Sequence, residues 1–117
     1  MQSVCIMGLG YIGLPTAGVL AKHGYRVLGV DVKPKVIETI NRGEIHIVEP
    51  DLDAVIREAV SSGNLKAALS PQESDIFIIA VPTPFKEDKK PDLRYVEAAT
   101  RSMAPFLKKG NLIILES

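Results

Sequence analysis

The chain has a single cysteine, no surplus of either charge and no long uninterrupted apolar run. Each absence removes a class of protein. Cys5 has no partner for an internal disulfide, so a reducing cytoplasmic setting is the expected one. Fourteen basic and 14 acidic residues cancel to a formal net charge of zero, and neither sign forms a block. Nucleic acid and membrane are therefore not expected partners, although backbone groups can still hold an anion. No apolar stretch reaches the length of about 18 residues that spans a bilayer. The apolar N-terminus lacks a preceding Lys or Arg, and Gly8, Gly10, Gly13, Pro15 and Gly18 interrupt it, which argues against a secretory signal. Repeats and low-complexity linkers are also missing. Neither His23 nor His46 has a second ligand at metal spacing, so no metal site is expected.

What remains is a chain of 117 residues, 46% hydrophobic and 24% charged, the balance of one soluble domain. Strand and helix patterns alternate along it. Val-, Ile- and Leu-rich runs at 3–7, 26–31, 65–69, 75–81 and 111–116 predict strands. Their continuous rather than alternating apolar character marks strands covered on both faces. Helices are predicted over 11–23, ending at Gly24; from Pro34 to Gly43; over 51–62, ending at Gly63; and from an Asp92 cap to the break at Pro105. The charged stretch 83–91 reads as a solvated loop, and 44–51 as linking structure. Alternating strands and helices define an α/β fold: a Rossmann-like, doubly wound parallel sheet of order 3-2-1-4-5 in a single domain.

Within this frame, "VCIMGLGYIGLPTAGVLAKHGYRVLGVD" carries the chemistry. Gly8, Gly10 and Gly13 follow a predicted strand and open a predicted helix. Gly8 suits the tight turn, Gly10 lets backbone approach a pyrophosphate, and Gly13 lets helix and sheet come close. Ala17 and Ala21 extend that small-residue face. Amides at the helix start offer a site for a diphosphate. Asp31, ending the second strand, can accept hydrogen bonds from both adenosine ribose hydroxyls and would repel a 2′-phosphate, which favours NAD over NADP. Lys33 lies close enough to soften that preference. Pro82 and Pro84 bracket Thr83 directly after the fourth strand. Strands one and four are neighbours in this order, so Thr83 is expected in the same crevice as the glycine loop. Cys5, between Val4 and Ile6, is expected to be buried and inert. A nucleotide-sensing regulatory domain and an S-adenosylmethionine-binding fold also use an acid or a glycine loop in this way.

The segments "GLGYIGLPTA", "GVDV", "INRGEIHIVEPDL", "IAVPTPFK", "PDLRYVEAA" and "LKKGNLIILES" together resemble the UDP-glucose/GDP-mannose dehydrogenase family over essentially the whole chain. The resemblance implies oxidation of a nucleotide-sugar C6 hydroxyl to a carboxylate in two NAD-dependent steps, through an aldehyde and a covalent thioester. UDP-N-acetyl-D-mannosamine is the implied UDP-sugar, with UDP-N-acetylglucosamine and UDP-glucose next. By the same resemblance, Tyr11 and Ile12 cover the cofactor, Asp31 holds its ribose and Thr83 contacts the dinucleotide. Residues 1–117 would then be the N-terminal NAD-binding domain of a longer homo-oligomeric enzyme. The family's nucleophilic cysteine and its UDP-binding domain have no counterpart here, so no catalytic residue is expected in this chain.

Overall fold

The computed structural model describes residues 2–116. Five parallel strands form one sheet of order β3-β2-β1-β4-β5. They are β1 (Ser3–Met7), β2 (Arg26–Val30), β3 (Leu65–Ala68), β4 (Ile76–Ile79) and β5 (Leu112–Leu115). Four helices accompany them: α1 (Gly13–Lys22), α2 (Pro34–Asn41), α3 (Leu52–Ser61) and α4 (Arg94–Met103), the last running into a short 3-10 turn at Ala104–Phe106. The sequence-derived architecture and strand order hold.

Burial explains the unbroken apolar runs. Val4 and Ile6 of β1 pack with Leu14 and Ala17 of α1, Ile40 of α2 and Ile56 of α3 on one face of the sheet. Cys5 and Met7, the intervening residues, pack with Phe77, Ala99 and Met103 on the other. Successive side chains of a strand point to opposite faces, so a strand covered on both sides has no polar positions to spare. Gly18 lets α1 and α3 touch: a Cβ there would lie 2.9 Å from Val55 Cγ1.

Element ends are shorter than the sequence pattern suggests. The first helix begins at Gly13 rather than at residue 11, because Gly10, Tyr11 and Ile12 make the turn that enters it. Asp31 lies one residue past β2, although its N–H still reaches Ala68 O at 3.3 Å. Asp92 is not the cap of α4: Leu93 holds that position. The Asp92 carboxylate instead accepts from the Arg94 N–H at 3.1 Å and from Arg94 Nη2 at 2.7 Å. The segment 83–91, expected as plain loop, belongs to a small closed hairpin over 82–92. Phe85 bridges Pro91, Lys86 N–H donates to Lys90 O at 2.7 Å, and Asp92 N–H donates to Pro84 O at 2.6 Å.

Candidate dinucleotide site

The glycine loop lies across the carboxyl ends of β1 and β4, held from below. Gly8 N–H donates to Val30 O at 2.8 Å, and Gly8 has φ of +105°, a conformation that side chains resist. A Cβ on Gly8 would lie 2.7 Å from Ala80 O, and one on Gly13 would lie 1.8 Å from Gly8 O. These two glycines are required by close backbone approach. Gly10 differs: a Cβ there would meet nothing within 4 Å. Its lack of a side chain leaves the outer surface of the loop open, without any demand from packing.

Leu9, between the first two glycines, anchors the turn. Its side chain is fully buried and fills the space over Gly29 of β2, where a Cβ would come within 2.6 Å of Leu9 Cδ2. This Leu9–Gly29 fit escapes sequence reading because the two residues meet only through the β1–β2 pairing.

The N–H groups of Gly10, Tyr11, Ile12 and Gly13 have no acceptor among the described residues. No side chain caps α1; its N-cap position is Ile12. Unpaired amides at a helix start carry partial positive charge and seek an anionic partner. Tyr11 and Ile12 flank them and are 65% and 41% exposed, high for large apolar side chains.

Asp31 borders the same turn. Its Oδ2 accepts from Leu9 N–H at 3.1 Å and its Oδ1 from Lys33 N–H at 3.2 Å. These two bonds orient the carboxylate and leave half of its acceptor capacity for a ligand. Thr83 is half-buried two residues after Val81, whose N lies 3.1 Å from the position of a Gly8 Cβ. The β4 exit and the glycine loop therefore border one crevice. An open loop surface, free amides and a half-satisfied acid beside them together fit the diphosphate and ribose of a dinucleotide.

The remaining candidates are elsewhere. Cys5 is fully buried, donates weakly to Met7 Sδ at 3.9 Å, and has its thiol pKa pushed up to about 11 because burial disfavours the thiolate. His23 Nδ1 lies 2.8 Å from Val19 O at the end of α1. His46 is exposed in the segment between α2 and α3, where Ile45 and Ile47 pack on the core. Sequence reading missed one side chain at the crevice, Glu116, whose carboxylate contacts Thr16 of α1. Its only signal was its place at the end of the fifth strand.

The fold and the loop thus define a dinucleotide-binding domain of the doubly wound class. Comparison with known proteins makes this particular: residues 2–117 match the "UDP-glucose/GDP-mannose dehydrogenase family, NAD binding domain". A UDP-N-acetyl-D-mannosamine dehydrogenase of Yersinia pestis is 58% identical over 116 residues, which are 99% of this chain and 28% of that protein. An NDP-N-acetyl-D-galactosaminuronic acid dehydrogenase of Ralstonia nicotianae is 56% identical over 99% of this chain and 27% of its own. The solved UDP-N-acetyl-mannosamine dehydrogenase of Staphylococcus aureus superposes with a TM-score of 0.96 at 50% identity, covering 99% of this chain and 29% of that one. The chain belongs to the UDP-glucose/GDP-mannose dehydrogenase family, as its NAD binding domain. It spans less than a third of the length of these relatives.

Proposed function

We propose that this chain holds NAD for an enzyme that oxidises the C6 hydroxyl of UDP-N-acetyl-D-mannosamine to the carboxylate in two successive steps. The observation that carries the cofactor half is the row of unpaired amides from Gly10 to Gly13 beside a carboxylate with spare acceptor capacity. In this reading the amides bind the diphosphate, and Gly8 and Gly13 keep the turn tight enough to present them. Asp31 takes the adenosine ribose hydroxyls and disfavours a 2′-phosphate. Tyr11 and Ile12 shield the bound diphosphate from water, and Thr83 orients the nicotinamide half. The bound cofactor supplies hydride acceptance at its nicotinamide. The nucleophile and the UDP-binding groups belong to other parts of a longer, homo-oligomeric, cytoplasmic enzyme, of which residues 1–117 are the N-terminal domain.

The sugar assignment leans on relatives named as UDP-N-acetyl-D-mannosamine dehydrogenases at 55–58% identity. A galactosaminuronic acid dehydrogenase of equal similarity is the specific reason to hold a second sugar open. UDP-N-acetylglucosamine and UDP-glucose are further alternatives. Steady-state assays of the full-length enzyme on these nucleotide sugars decide among them; a higher kcat/KM for any other would displace the mannosamine reading. The cofactor half is tested on the 117-residue chain by calorimetry with NAD, NADP and S-adenosylmethionine. NAD binds most tightly, and Asp31→Ala weakens it by about 1–3 kcal/mol, the scale of lost charge-assisted hydrogen bonds. Unchanged NAD affinity in that variant removes Asp31 from the site.

A further inference from the structure

The carboxyl end of β5 brings a second acid to the crevice. Glu116 N–H donates to Ile79 O at 2.9 Å, so Glu116 continues the strand pairing and stands beside Ala80. Ala80 is the residue on which the glycine loop rests, through the close approaches of Gly8 and Gly13. From there the Glu116 side chain reaches α1, with its two oxygens 2.9 and 3.0 Å from Thr16 Oγ1. Thr16 Oγ1 also lies 3.1 Å from Ile12 O. A hydroxyl has one proton, which cannot satisfy three acceptor oxygens. None of the four ion pairs among the described residues includes Glu116. Its charge is thus held in place, short of donors and without a cation, next to the first turn of α1.

The two halves of a doubly wound sheet each take one nucleotide of a dinucleotide. Asp31, at the end of β2, belongs to the adenosine half. The ends of β4 and β5 form the other half, which receives the nicotinamide nucleotide. Oxidised and reduced cofactor share the same diphosphate, but only the oxidised form carries a positive pyridinium ring. A fixed negative charge in that half therefore distinguishes the two by one full unit of charge.

We infer that Glu116 sets the redox preference of the site, favouring NAD+ over NADH relative to a neutral side chain. The inference rests on the NAD reading above and adds to it a residue that selects the form to be consumed in an oxidation. The test is the ratio of Kd for NADH to Kd for NAD+, measured by calorimetry on the 117-residue chain and on Glu116→Gln, with thermal melts to establish that both are folded. The ratio falls by about three- to ten-fold in Glu116→Gln, the scale of one unit charge acting through a partly hydrated crevice. Glu116→Ala, which also loses the Thr16 contact, shifts the ratio in the same direction. Equal changes in both affinities, or none, overturn the inference, because a purely structural Glu116 moves the two together. Failure of the NAD reading is seen separately, as wild-type chain that binds neither form.

Discussion

Single residues in this domain are governed by what burial does to them. Cys5 illustrates it with a measurable consequence. Burial in the β1 interior disfavours the thiolate and pushes the Cys5 thiol up to about 11 from an ordinary value of 9.0. Above pH 9 the unfolded chain binds fewer protons than the folded one at this position, so stability declines as pH rises from 9 towards 11. Between pH 9 and pH 11 the loss attributable to Cys5 is roughly 2 kcal/mol, and denaturant melts across that window should show it, while Cys5→Ala lacks that part of the slope. Equal slopes in both proteins would mean that the thiol is not shielded. Inertness was legible in the sequence, since a thiol between Val4 and Ile6 inside an apolar strand has nowhere else to be. Asp51 was not legible: it opens α3 with φ of +65°, a left-handed conformation rare for a residue other than glycine.

At the level of elements, the three glycines of one motif do two different jobs, close packing at Gly8 and Gly13 and an open surface at Gly10, and substitution separates them. Gly13→Ala drives a Cβ into Gly8 O and costs roughly 3 kcal/mol or more of stability, read as a fall in denaturation midpoint. Gly10→Ala meets no atom of the protein, so its melting curve stays near wild type while NAD affinity drops at least about ten-fold, because the new methyl occupies the ligand side. A Gly10→Ala variant with full NAD affinity would move the diphosphate away from this loop. The motif announced the turn in the sequence; which glycine serves packing and which serves ligand needed the opposing atoms of Ala80 and Gly8. The same limit applies to the closed hairpin at 82–92 and to Asn41, whose amide pairs with both N and O of Ala67 and so occupies the free edge of β3. A side chain satisfying a distant backbone leaves no local pattern. Asp92 shows the electrostatic version: Arg94 holds its carboxyl at about 2, and the pair fastens the hairpin to α4.

For the whole molecule, ligand and fold are linked, since only the folded chain brings the loop of β1 to the acid of β2 and the ends of β4 and β5. NAD at a hundred times its Kd therefore stabilises the domain by about 2.7 kcal/mol and raises its Tm by about 10 °C, measurable by scanning calorimetry. NADP at the same concentration gives a smaller shift; equal shifts would deny Asp31 its part in selection. The sheet itself is unevenly covered: β1 is enclosed on both faces, whereas Leu112, Ile113, Ile114 and Leu115 of β5 are all 40–60% exposed. Composition, periodicity and punctuation by glycine and proline determined the element order and the glycine loop, because these depend on local backbone preference and on which faces must leave water; the strand order followed from the doubly wound class that the loop marks. Only the tertiary structure decided that Leu9 seats over Gly29, that Gly10 alone of the three loop glycines is open and that Glu116 reaches Thr16. Those contacts join residues 20 to 100 positions apart or depend on empty space, and neither distance nor emptiness is written in a run of neighbouring side chains.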